Sequence, residues 1–113
     1  LVKLKKVNGR LSLKDGSAIV ILADESDMTI DEEKKALLKG NVNFLHSKAD
    51  VELWTQAAIV HFKNSTVEGA LPVQGESIYG TLQSKNGFFY DQKSETIRLN
   101  GPAEVIIYEK EQA

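Results

Sequence analysis

The chain has 113 residues, of which 42% are apolar and 27% charged, with a formal net charge of −2 and no cysteine. That length supports one domain, residues 1–113, with one continuous core, and the composition is that of a folded chain rather than a disordered one. The charge balance gives no electrostatic case for nucleic acid, and the lack of cysteine excludes a disulfide scaffold, a thiolate metal site and a cysteine nucleophile.

The first predicted element is basic, with Lys3, Lys5, Lys6, Arg10 and Lys14. Lysines of this kind guard an edge strand against unwanted pairing; the sharper reading is contact with anionic head groups. Leu11 and Leu13 alternate with Ser12 and Lys14, the period of a strand with one face covered. The run Ala18-Ile19-Val20-Ile21-Leu22-Ala23 is the longest apolar stretch. It is far too short for a membrane helix and predicts a strand buried on both faces. The acidic residues Asp24, Glu25, Asp27, Asp31, Glu32 and Glu33 follow. They lack the glycine-centred rhythm of a calcium loop and read as a solvated turn.

Three strand–turn–strand–glycine units then recur at a spacing of about thirty residues. The first runs from Met28 to Leu38-Lys39-Gly40-Asn41-Val42, the second from Ile59 through Lys63-Asn64-Ser65 to Gly69, and the third from Phe88 to Gly101. Asp31 to Leu38 has the acidic-then-basic order of a short helix, but it falls where the other units turn, so a polar hairpin turn is expected there. Val42, Phe44 and His46 form one alternating row and Ala49, Val51, Leu53 and Thr55 another. Turn signals at Asn8-Gly9, Asp15-Gly16, Gly40-Asn41, Asn64-Ser65, Gln74-Gly75, Asn86-Gly87 and Asn100-Gly101 come every eight to twelve residues or so, the spacing of an all-β sandwich, roll or barrel. Pro72 and Pro102 cannot donate to a ladder and are expected at strand entries or edges.

No group of residues makes a case for catalysis. His46 and His61 are fifteen apart with no third ligand spaced beside them, no serine sits in a nucleophile elbow, and Gly75 to Gly80 lacks the lysine and helix of a phosphate loop. Asn64-Ser65-Thr66 matches a glycosylation acceptor, a pattern that short sequences produce by chance. No enzyme activity, cofactor or metal is expected. Phe88-Phe89-Tyr90 and Val105-Ile106-Ile107-Tyr108 are apolar on both faces. Such strands need covering twice, or they meet something else apolar, a lipid or a strand added by another protein. Val105, Ile106, Ile107 and Tyr108 are thus the expected strand-addition edge.

From Leu11 to Tyr108 the chain resembles the β-jellyroll proteins of the lipopolysaccharide export bridge, the OstA-like superfamily, and most of all their inner-membrane-anchored periplasmic branch. The resemblance rests on Leu11-Ser12-Leu13-Lys14-Asp15-Gly16 before Ile21-Leu22-Ala23-Asp24, on Leu38-Lys39-Gly40-Asn41-Val42, and on Ala57-Ala58-Ile59-Val60 with Thr66-Val67-Glu68-Gly69. It continues in Pro72-Val73-Gln74-Gly75-Glu76 with Tyr79-Gly80-Thr81-Leu82, and in Phe89-Tyr90-Asp91 with Leu99 to Val105. The resemblance implies a twisted, incompletely closed jellyroll of antiparallel strands with a hydrophobic interior. It implies a carrier that accepts lipopolysaccharide from an inner-membrane ABC transporter at its N-terminal edge and passes it to a soluble periplasmic bridge protein at its C-terminal edge. Gly80 is its one residue carried over as a site. The chain starts at Leu1 without an N-terminal membrane helix, so an anchor is expected upstream. The inward rows predicted to line a lipid trough are Val42, Phe44, Val51, Leu53, Phe88, Tyr90, Leu99, Val105 and Ile107. The soluble bridge relative, a carbohydrate-binding jellyroll and a purely structural β-assembly module are the competing readings.

Overall fold

The computed structural model describes residues 2–12, 15–29, 34–48, 50–94 and 96–108. They form ten antiparallel strands: β1 (Val2–Ser12), β2 (Ala18–Met28), β3 (Lys35–His46), β4 (Val51–His61), β5 (Thr66–Gly69), β6 (Val73–Ser77), β7 (Gly80–Ser84), β8 (Phe88–Asp91), β9 (Thr96–Leu99) and β10 (Ala103–Ile107). No helix occurs among the described residues. The fold is all-β, as the period-two pattern predicts, and the sheet does not close into a barrel. It is elongated, 51 × 32 × 25 Å.

Strands β1 to β4 form a meander of long hairpins, and β4 is the fork of the sheet. Its second half, Ile59 to His61, pairs with β5, and the ladder continues through β8 to β9. Its first half, Glu52 to Thr55, pairs with β6 and leads through β7 to β10. One eleven-residue strand thus supports two three-stranded arms. The arms are tied together at Ser84 of β7, whose buried hydroxyl donates to the carbonyls of Gly87 and Asn100, either side of β8 and β9. Gly75 of β6 allows the fork to close. A Cβ there would stand 2.6 Å from Leu53 Cδ2 and 2.9 Å from Leu82 Cδ1.

The long hairpins bend along one transverse line. The register slips between Leu22 and Glu25 of β2 and between Lys39 and Val42 of β3. Gly40 and Asn41 take left-handed φ values of 78° and 46°, as a bulge requires and as glycine and asparagine accept at low cost. Lys6 of β1, at the same level, has a φ of 54°. The buried face changes parity across the line, from Ile19, Ile21 and Ala23 to Ser26 in β2 and from Thr55 to Ala58 in β4. Polar side chains bridge the bend on the outside. Asn41 Nδ2 donates to Asp24 Oδ2 at 2.9 Å, and the Asn41 backbone N–H points to Gln56 Oε1 at 3.5 Å.

The concave face of the meander carries the apolar core, including Ile19, Ile21, Leu38, Val42, Phe44 and Val60. Phe88 of β8 seats on it from the β5–β8–β9 arm. Its ring meets Phe44 edge-on, with centroids 6.2 Å apart and planes at 68°, a geometry the ring quadrupole favours.

The three predicted units are the hairpins β2–β3, β4–β5 and β8–β9. Pro72 and Pro102 immediately precede β6 and β10, as expected of strand entries. Three expected turns are not turns. Asn8-Gly9 lies inside β1, Gly40-Asn41 is the β3 bulge, and Gln74-Gly75 lies inside β6. Asp24, Glu25 and Asp27, expected in a turn, belong to β2. Of the polar turn expected over Asp31 to Leu38, Lys35 to Leu38 instead belong to β3, where they pair with β2 and β4; Asp31 to Glu33 lie outside the described residues, and Thr29 N–H to Lys35 O at 2.9 Å links the two strands. The Ala18–Ala23 run is buried on both faces only at its start: on the second face Ala18 is buried, while Leu22 is 40% exposed.

Candidate functional site

The β5–β8–β9 arm does not fill the concave face. A cavity of about 680 Å³ remains between it and the meander. One wall is formed by Leu11, Ile19, Ile21, Phe44, Val51 and Leu53, the other by Val67, Phe88, Tyr90 and Ile97. The lining is mostly aliphatic and aromatic, and its size falls within the roughly 300–1,000 Å³ typical of small-ligand pockets. Alternation produces it: Val51 and Leu53 turn inward from β4, while Trp54 between Leu53 and Thr55 turns outward.

The charged and polar lining comes from turns. Asp15 belongs to the β1–β2 turn, Lys48 with strand-end His46 to the β3–β4 turn, Ser65 to the β4–β5 turn, and Gln92 and Lys93 to the β8–β9 turn. The Asp15 carboxylate accepts the Ser17 hydroxyl and, at 2.9 Å, the Ser17 backbone N–H. Those two hydrogen bonds hold its carboxyl below the usual aspartate range, with a smaller contribution from Lys48. Lys48 Nζ stands 3.7 Å from Asp15 Oδ2, and the Lys48 backbone N–H donates to His46 Nδ1 at 3.2 Å.

On the other side of Phe88 lies a shallower groove of about 440 Å³, with Leu37, Ile59, Leu71 and Phe89 among its walls. Arg98 covers the Phe89 ring at 5.2 Å, a cation–π contact. Phe88 lines both spaces and forms the partition between them.

Of the predicted trough residues, Phe44, Val51, Leu53, Phe88 and Tyr90 meet in the cavity. Val42 is fully buried in the packed core and Leu99 packs against that core, so neither lines the cavity. Val105 and Ile107 do not face inward. They stand 59% and 79% exposed on β10, because every residue of that strand is exposed. Gly80 opens β7 opposite Ile107 and does not line the cavity; a Cβ there would collide with the Ile106 carbonyl. Ile19, Ile21, Val67 and Ile97 were apolar strand positions that alternation alone does not assign to a wall. The lysines and Asp15 gave no local signal, since they come together only through the fold.

Among the described residues the predicted edge is open: β10 pairs with β7 on one side only, and Val105, Ile106, Ile107 and Tyr108 are all exposed, with Ile78 and Tyr79 of the β6–β7 turn beside them. At the opposite side of the sheet β1 is an edge too, but a lysine-bearing one. His46 and His61 occupy opposite ends of the β3–β4 ladder. His61 Nε2 instead meets Glu68 Oε1 at 3.0 Å, and no cluster able to hold a metal ion occurs among the described residues. No family model matches the chain, and no curated protein is detectably similar to it.

Proposed function

We propose that this chain is a non-enzymatic lipid carrier of the lipopolysaccharide export bridge, shielding acyl chains in the cavity between the meander and the β5–β8–β9 arm. The observation that carries the reading is the cavity itself, apolar along both walls and walled by two separate parts of one sheet. An acyl chain gains about 0.8 kcal/mol for each methylene removed from water. A dozen methylenes therefore amount to roughly 10 kcal/mol, enough to keep a free chain from crossing water by itself. A protein trough that reproduces the apolar environment makes successive handovers nearly isoenergetic. Direction then comes from upstream ATP use.

In this reading the protein sits in the periplasm, held to the inner membrane by an N-terminal helix, in the manner of the anchored branch that its motifs resemble. The ABC transporter meets it at the β1 edge and the soluble bridge protein at β10. Support for the second junction is the exposed apolar row Val105 to Tyr108 on a strand that, among the described residues, pairs with β7 alone. Strand addition there covers apolar side chains and satisfies the backbone groups of an open edge.

Filling the cavity tests the proposal. Val51 lines it and is only partly buried, so Val51→Trp places its ring in empty space rather than into packed neighbours. Purified Val51→Trp is expected to keep its β-type circular dichroism and to bind lipopolysaccharide about tenfold less tightly, the loss that follows when roughly 1.4 kcal/mol of chain burial is blocked. Unchanged lipopolysaccharide affinity in the folded variant would contradict the assignment of the cavity.

A further inference from the structure

The cavity is small for a lipid with several acyl chains. A methylene takes about the volume of a water molecule in the liquid, roughly 30 Å³, so about 680 Å³ accommodates one or two chains of about a dozen carbons. The remaining chains and the headgroup must lie at or beyond the openings, where the polar lining is. That lining has three charged side chains: Lys48, Lys93 and Asp15. Its other polar members include His46, Ser65 and Gln92.

We infer that the cavity selects amphiphiles with an anionic headgroup: Lys48 and Lys93 hold the anion, and Asp15 competes with it for Lys48. This rests on the lipid-carrier reading of the same cavity. Lys48 is suited to the role because its present partner is weak. The Asp15–Lys48 contact is long, at 3.7 Å, and both side chains are exposed, 68% for the lysine and 43% for the aspartate. Exposed pairs of this kind contribute little. A phosphate at the mouth, flanked by apolar walls that exclude water, interacts more strongly with the same ammonium. Lysine is a flexible point charge, able to follow a headgroup whose position shifts with the seating of the chain. Asp15 cannot leave readily, because Ser17 fixes its carboxylate with two hydrogen bonds. It therefore stays at the opening as a built-in rival anion for Lys48.

Two probes with the same alkyl chain separate this inference from the reading beneath it. Dodecyl phosphate and dodecyl maltoside are titrated into the purified full chain below their micelle-forming concentrations at low salt. Dodecyl phosphate is expected to bind about tenfold more tightly than the maltoside, a preference of about 1.4 kcal/mol, and to lose that margin as salt screens the lysines. The double variant Lys48→Gln/Lys93→Gln is expected to bind both equally while keeping the wild-type affinity for the maltoside, which shows that the cavity is intact. Asp15→Asn removes the rival charge and is expected to strengthen phosphate binding about threefold, roughly the effect of one exposed ion pair. Equal affinity of the wild type for the two probes would overturn the inference and leave the carrier reading standing. A phosphate preference that survives in the double variant would overturn the assignment to these lysines. Failure of both probes to bind would sink both.

Discussion

Replacing Phe88 by alanine is expected to lower the stability of the fold by about 3–5 kcal/mol, the usual loss for a buried phenylalanine. Phe88 is 1% exposed and is among the largest fully buried side chains. It is also the cross-layer contact that seats the β5–β8–β9 arm on Phe44. A chain of 113 residues has a total stability on the order of 6–17 kcal/mol, so the loss is a large fraction of the whole. The neighbourhood cannot collapse to heal the gap, because Phe88 already has a cavity on one side and a groove on the other. Removing the ring merges them. Urea unfolding reads the effect as a lower midpoint with an unchanged slope. A loss below about 1 kcal/mol would mean that the ladder to β4 and the Ser84 tie hold the arm without the Phe44–Phe88 contact.

Gly87→Ala is expected to cost several kcal/mol, while Gly16→Ala costs about 1 kcal/mol, the ordinary penalty of a left-handed backbone for an L residue. The two glycines have nearly the same left-handed φ, +95° and +88°, so the dihedral cost cancels in the comparison. Their surroundings differ. Nothing lies within 4 Å of a Cβ at Gly16, whereas a Cβ at Gly87 collides with the Gly69 carbonyl and comes within 2.8 Å of Ala70 Cα. Those are backbone atoms at the end of β5, where β8 pairs with it, and they cannot swing aside as a side-chain tip can. Gly87 O also accepts both the Asn100 N–H at 2.9 Å and the Ser84 hydroxyl. Any shift at Gly87 therefore strains the tie between the two arms of the fork. Thermal or urea unfolding of the pair isolates the steric part. Equal losses for the two variants would show that the β5–β8 approach is looser than the structure has it.

The three hairpins were legible because each is local. Alternation sets the faces and a short polar run marks the turn, as at Lys63-Asn64-Ser65 between β4 and β5. The fork at β4 was not legible. The pairing of its second half with β5 is a local hairpin, but no residue of β4 announces that its first half will pair with β6, which lies beyond β5 in the chain. The same cause hid the bend. Gly40-Asn41 has the chemistry of a turn, and only its neighbours in β2 and β4 make it a bulge that the strand passes through. Val105 and Ile107 were misplaced because a strand apolar on both faces reads alike in a core and on an exposed edge. The cavity was half legible. Phe44, Val51, Leu53, Phe88 and Tyr90 follow from alternation, but Val42, in phase with Phe44, is sealed into the core. Alternation gives the face of the sheet and says nothing of how far the opposite layer extends over it.

Adjacent residues of β4 allow the most direct test of lipid carriage. Leu53 lines the cavity and Trp54 faces out from the other side of the same strand, 37% exposed. A photo-reactive phenylalanine analogue placed singly at each position, irradiated with purified lipopolysaccharide, samples the two faces at equal depth in the sequence. The account predicts a lipopolysaccharide adduct from position 53 and little or none from position 54. Equal labelling at both positions, or labelling from position 54 alone, would contradict it.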